Sequence, residues 1–211
     1  MRLASCLNFL AGKVPPHRQK VKKLKALFAE VNVRTRSFQK LTGLNCPERC
    51  GACCESPHIE TTELEMLPLA DELVRNGKAT DWYAQAEGRD FSGQCVFFVP
   101  SPSGKMRGCC QAYELRPLIC RLFAFSGNRD KHGHVRLVTC KVIKKAAPVL
   151  AEKALSDVVS GQISPPVMAD LMLRASTLDP DMSRESLPIN TALKKALERL
   201  WLYQRLSSQK G

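Results

Sequence analysis

Leu24, Leu27, Phe28, Val31, Phe38 and Leu41 recur at helical spacing, with Thr35 on the same face, so an amphipathic helix is expected over about 18–41. Gly43 and Asn45 end it. The segment 45–56 is too rich in Cys, Gly and Pro for regular structure and reads as a knuckle-like loop. Thr62-Glu63-Leu64-Glu65 has capping-box form and opens a second helix, which runs to about Asn76, is adjusted at Pro68 and is stopped by Gly77. Residues 81–87 add a short helical turn.

From Cys95 the pattern changes. Residues 95–99 look like a strand, 100–104 form a turn, and 106–110 return as the partner. Residues 118–125 and 135–140 are also short and apolar, with a turn-like stretch from Gly127 to Gly133 between them. After Cys140 the pattern is helical again, over about 144–160, 166–176 and 189–207, with Leu, Val and Ala at three-to-four spacing. These last helices carry no cysteine and read as a scaffold. There is no internal repeat. The expected fold is mainly α, a small α+β arrangement. An irregular cysteine-rich core with short β-hairpins is flanked by amphipathic helices. The expected division is a helical extension over 1–43, a cysteine-cluster domain over 44–142, and a C-terminal helical segment over 143–211.

Composition narrows the setting. The chain has 211 residues, 44% hydrophobic and 25% charged, a soluble globular balance able to bury its own core. No apolar run approaches the roughly 20 residues that span a bilayer. Residues 1–12 are mildly apolar but broken by Cys6 and Asn8, and read as a helix start or tail rather than a signal peptide. A cytoplasmic location follows as the expectation, where thiols stay reduced and clustered cysteines serve metals or chemistry. The net charge of +12 raises nucleic acid as a partner. Yet the densest basic run, 17–25, has no interleaved aromatics and reads as the solvated face of the first helix. Nucleic acid and a membrane span are therefore not expected, and a protein partner stays open. Arg49, Arg107, Arg116, Arg121 and Lys141 lie beside cysteines and suit a different task, offsetting thiolate charge of roughly −2 for each four-cysteine zinc.

Ten cysteines is a high count for such a chain, and four fall within nine residues, at Cys46, Cys50, Cys53 and Cys54. The Cys50-Gly-Ala-Cys53 spacing puts two sulfurs on one tight turn able to reach a single ion, with Gly51 where positive φ is needed. Adjacent side chains diverge, so the Cys53-Cys54 doublet fits two neighbouring ions or a multi-iron cluster better than one zinc finger. Cys95, Cys110, Cys120 and Cys140 supply four more thiols from separate loops. The eight candidates suit two four-cysteine ions or one four-iron cluster with thiols to spare. Spacing does not separate zinc from iron, since both accept thiolates. His58, His132 and His134 read as solvent-exposed, and Tyr113 as core packing.

These residues carry a resemblance. Cys50-Gly-Ala-Cys53-Cys54, then Gly93-Gln-Cys95-Val-Phe-Phe, then Cys110-Gln-Ala-Tyr113-Glu-Leu-Arg116-Pro-Leu-Ile-Cys120-Arg121, is similar to the YkgJ-type cysteine-cluster family over roughly 44–142. That family is also described as a zinc- or iron-chelating domain with a CxxCxxCC motif. The resemblance implies a mostly helical, metal-chelating domain with Cys46, Cys50, Cys53, Cys54, Cys95, Cys110, Cys120 and Cys140 as ligands. The cofactor implied is zinc or iron, an iron–sulfur cluster being one form. The sequence departs from the pattern in the three-residue gap after Cys46 and in Cys109, an additional thiol beside Cys110, while Cys6 lies outside it.

The leading functional expectation is a cytoplasmic metal-binding protein. A metal-cluster enzyme related to the flagellin lysine N-methylases is one alternative, though no GxGxxG loop follows a strand and no catalytic constellation is evident. A thiol redox accessory protein is the other.

Overall fold

The computed structural model describes residues 16–89, 93–102 and 107–208. The expectations for residues 1–12, for Cys6 and for the tip of the turn at 103–106 lie outside the described residues.

Helix α1 (Pro16–Thr42) buries Leu24, Leu27, Phe28, Val31, Thr35 and Phe38 as its periodicity requires. Leu41, expected on that face, is exposed instead. Thr42 takes the inward position, its hydroxyl donating to the Phe38 carbonyl at 2.8 Å. Gly43, at φ +71°, then stops the helix in the left-handed region that L side chains avoid. Helix α2 (Glu63–Arg75) starts from the Thr62 cap, whose Oγ1 accepts the Glu65 N–H at 3.2 Å. The Glu65 carboxylate accepts elsewhere, from the Leu118 N–H at 2.7 Å. Pro68 sits inside α2, and the short α3 (Ala79–Glu87) follows.

Helix α8 (Ile189–Ser208) packs on both α2 and α3. Its start is fixed beside the start of α2 because β1 (Glu60–Thr61) pairs antiparallel with β6 (Leu187–Pro188). Arg199 on α8 adds a fork onto the Glu63 carboxylate, 2.7 Å through Nε.

The cysteine-rich middle is built on two further hairpins. Strand β2 (Phe98–Pro100) pairs with β3 (Gly108–Cys110), Phe98 opposite Cys110 and Val99 opposite Cys109. The strand expected from Cys95 begins only at Phe98, because 95–98 closes a turn through the Phe98 N–H and the Cys95 carbonyl, 3.0 Å. Of the two apolar segments beyond, the first contains a short helix, α4 (Leu118–Leu122). The second hairpin joins β4 (Ser126–Arg129) to β5 (Val135–Val138). The helix expected over 144–160 is two helices, α5 (Lys141–Ala146) and α6 (Pro148–Val159). Pro148 lacks the N–H needed to continue α5 and serves as the first residue of α6. Helix α7 (Met168–Ser176) completes the set.

The architecture is thus mainly α with short antiparallel hairpins. Two apolar clusters hold it together. The larger joins Leu24, Leu27 and Phe28 of α1 to Leu67 of α2, Leu118 and Leu122 of α4, and Leu193 and Leu197 of α8. The smaller gathers Phe38, Leu44, Phe125, Leu137 and Ile143 with Ala151, Ala154 and Val158 of α6. Helix α1 contributes to both. No helix among the described residues is long and apolar enough to cross a membrane.

Candidate metal centre

All nine described cysteines line one cavity of about 640 Å³: Cys46, Cys50, Cys53, Cys54, Cys95, Cys109, Cys110, Cys120 and Cys140. They arrive on several supports: the knuckle, the segment before β2, strand β3, α4 and the start of α5. The knuckle carrying Cys46–Cys54 is a run of turns, in which the Cys54 N–H returns to the Gly51 carbonyl at 2.8 Å. Gly51 has the positive φ its spacing required, +57°, and a Cβ there would stand 2.7 Å from the Phe98 ring. Gly108 faces the same ring from β3, where a Cβ would meet the Val99 carbonyl at 2.2 Å. The Gly108 N–H also donates to the Arg49 carbonyl, 3.3 Å, so the knuckle is tied to the hairpin bearing Cys110.

Cys95 is buried, and its segment is clamped by Asn190 at the head of α8. The Asn190 side chain accepts from the Val96 N–H and donates to the Gln94 carbonyl, both at 3.0 Å. Cys120 rides on α4, whose first N–H is held by Glu65. Cys140 caps α5, its sulfur accepting the Ile143 N–H at 3.4 Å. Cys95, Cys110 and Cys120 belong to or pack against the larger apolar cluster, and Cys140 packs against the smaller. The thiols therefore stand at the seam between the two.

The doublet is the meeting point. Cys53 and Cys54 direct both sulfurs into the cavity, 4.0 Å apart, although neighbouring side chains usually diverge. The Cys54 thiol donates to Cys53 and lowers its pKa despite burial, while that same bond and burial raise Cys54. Burial, reinforced by Cys140, Cys50 and Cys53, pushes Cys46 up to about 11. Burial does the same to Cys95, also to about 11. Burial raises Cys110 too, and raises Cys120 with help from Cys95, Cys53 and Cys110. Two groups of thiols interact, Cys46 with Cys50 and Cys140, and Cys120 with Cys95 and Cys110, and each group also feels Cys53.

Thiols this poorly solvated ionise only with a compensating cation nearby. Arg116 is one such cation, lowering Cys53 and opposing the rise at Cys46, Cys110 and Cys120. Its Nε is buried without a hydrogen-bond partner among the described residues, and its guanidinium lies 3.5 Å over the Tyr113 ring. A soft metal ion is the other, and an all-thiol donor set suits zinc or iron. Among the described residues no group of three or more His, Cys, Asp or Glu is drawn tightly enough together to hold an ion. The thiols share the cavity without converging on one point.

Other expectations for the site resolve individually. Arg49 and Lys141 line the cavity as charge-offsetting candidates, whereas Arg107 turns away to pair with Glu55. Arg121 is buried and makes no carboxylate pair among the described residues. Its Nε donates to the Arg116 carbonyl at 2.7 Å, Nη1 to Asn32 Oδ1 at 2.8 Å and Nη2 to the Glu114 carbonyl. Tyr113 is not core packing; it stands half-exposed at the cavity rim, held there by Arg116. His58, His132 and His134 are exposed. Cys109, set apart by its position in the sequence, lines the cavity with the others. The supporting roles of Glu65 and Asn190 have no sequence signature. A helix start near 62 explains Glu65 equally well, and Asn190 follows Pro188 as an ordinary helix opening.

Residues 45–141 match the family model CxxCxxCC, described as "Putative zinc- or iron-chelating domain". This segment is similar to the CxxCxxCC domain over 97 of the chain's 211 residues. Its limits enclose all eight thiols of the two groups and the doublet between them, together with both central hairpins and α4. A protein of Methanocaldococcus jannaschii named "Uncharacterized protein MJ0661" is 30% identical over 84 residues. That match covers 37% of this chain and 43% of the relative, so the chain spans less than half the length of the protein it resembles. No solved structure matches. The matched segment is framed by α1 before it and α6–α8 after it.

Proposed function

We propose that the protein holds zinc or iron through cysteine thiolates, in the reducing setting of the cytoplasm. The carrying observation is the convergence of all nine described cysteines, drawn from the knuckle, a hairpin, α4 and the α5 cap, on one cavity. Cys46, Cys50, Cys53, Cys54, Cys95, Cys110, Cys120 and Cys140 are the ligands of this reading, with Cys109 beside them. The doublet shared by two thiol groups favours more than one metal centre, either two four-thiolate ions or an iron–sulfur cluster. The metal, when bound, supplies the positive charge that makes thiolate ionisation affordable inside the protein. Arg116, Arg49 and Lys141 offset the negative charge that remains. Residues 44–142 would form the metal-holding unit, with the flanking helices as its frame.

The test is preparation without oxygen, followed by metal and acid-labile sulfide analysis and an absorption spectrum. The expected result is at least one zinc or iron per chain. Broad absorption near 400 nm with sulfide identifies an iron–sulfur cluster, and a colourless zinc-loaded protein identifies thiolate zinc. Less than one metal per chain overturns the reading.

A further inference from the structure

One wall of the cavity is not made of thiols. Asn32, Thr35, Arg36 and Gln39 of α1, spaced i, i+3, i+4 and i+7, form a polar stripe that lines it. Thr35 is only 8% exposed, and its hydroxyl has no hydrogen-bond partner among the described residues. A buried hydroxyl left unpaired costs stability, so Thr35, which lines the cavity, is a group that would gain from a partner there. Asn32 spends its oxygen on Arg121, which leaves its amide N–H groups directed to other partners. Arg36 makes no ion pair among the described residues, and it stands at the mouth of the cavity, where solvent still reaches it. Through Arg121, which binds both Asn32 and the Arg116 carbonyl, this wall is braced against the loop beside the thiols.

We propose that the stripe recognises a second occupant of the cavity, a small organic molecule whose oxyanion group, carboxylate or phosphate, is held by Arg36, Thr35 and the amides of Asn32 and Gln39. The donors are the right kind: one guanidinium and three neutral hydrogen-bonding side chains, a set that suits anionic oxygen. The space is sufficient as well. About 640 Å³ falls within the roughly 300–1,000 Å³ of small-molecule sites and is far more than thiolate-bound ions need. Met66, Leu69, Phe97 and Phe125 line the same cavity and suit the apolar body of such a molecule. The inference adds to the metal reading, placing the anion on the α1 wall and the metal among the thiols.

The test uses the full chain prepared without oxygen, with metal content measured on the same sample. Inorganic phosphate and, separately, acetate are titrated at constant ionic strength by equilibrium dialysis. The expected result is one saturable site per chain for at least one probe, and the better probe names the anion class. Arg36→Gln should weaken it roughly tenfold or more. Thr35→Val should weaken it several-fold while raising the melting temperature of the anion-free protein, since the orphan hydroxyl is gone. Both variants should keep their metal. Arg18→Gln, in the separate basic cleft between α1 and α2, should leave binding unchanged. No saturable site for either probe overturns the proposal, as does equal weakening by Arg18→Gln and Arg36→Gln. A protein without metal that still binds the anion at this wall overturns only the metal reading.

Discussion

The Glu65 carboxylate, near the start of α2, holds the backbone N–H of Leu118, the first residue of α4, at 2.7 Å across 53 positions of sequence. Burial raises the pKa of this carboxyl, and the Leu118 N–H opposes that rise. Two residues beyond Leu118 stands Cys120, so the contact positions a thiol as well as a helix.

Removing it should therefore be felt twice. Glu65→Ala leaves a buried N–H unpaired and is expected to cost about 2 kcal/mol, or roughly 4–8 °C in Tm for a chain of this size. Metal content should fall with it. Glu65→Gln keeps an acceptor oxygen and should behave much closer to the parent protein. Thermal melts and metal analysis of the two variants decide the matter; equal losses would mean the carboxylate's charge, not its cap, is what counts.

Arg121 is the second internal brace. Its guanidinium serves three acceptors and lies 4.5 Å from the centre of the Phe28 ring. Burial, then Arg116, lowers its pKa to about 10, so it stays charged at neutral pH. Arg121→Met should destabilise by about 3 kcal/mol, since two carbonyls and the Asn32 oxygen lose their donor. Arg121→Lys should recover only part of this, because an ammonium lacks the planar fork. Urea unfolding midpoints order the three proteins.

Cys109 and Cys110 are adjacent strand residues opposite Val99 and Phe98. Cys110 packs toward Cys95, Cys120 and the larger apolar cluster. Cys110→Ser should thus lose metal, and Cys109→Ser should keep the full complement. The reverse pattern in elemental analysis would exchange their roles.

A pH effect is expected far from the thiols. Burial raises the Asp179 carboxyl, but the Lys20 ammonium and the Met182 N–H more than reverse this and hold it below the usual range. A carboxyl whose folded pKa is depressed gives stability that is complete above its unfolded value, about 3.9, and is lost as pH falls through the folded one. Parent and Asp179→Asn should differ in unfolding midpoint at pH 6 and approach each other toward pH 3. A difference independent of pH would remove the ion pair as its cause.

Much of this was legible in the residues. The first helix, the Thr62 cap, the irregular knuckle with positive φ at Gly51, and the cysteine-free helices after Cys140 all follow from local chemistry. The similarity of 45–141 to a zinc- or iron-chelating domain rests on the thiol pattern. What escaped is non-local. Leu118–Leu122 is too short for a helical period to show, and it forms because Pro117 precedes it and Glu65 caps it from another helix. Tyr113 reads as apolar bulk until Arg116 is seen lying over it at the rim. The break at Pro148 was visible in principle, but the apolar spacing runs straight through it. The stripe from Asn32 to Gln39 has readable spacing. Its meaning depends on what it faces, which only the fold supplies.

Helix α1 runs 27 residues, about 40 Å at 1.5 Å per residue, with one half in each apolar cluster. It acts as a strut. The two halves of the molecule keep their separation whether or not the thiols hold anything. On the proposed metal reading, demetallation should be a local event in a braced frame: the knuckle should slacken and become a target for proteases while the helices around it persist, unlike a zinc finger that collapses when stripped.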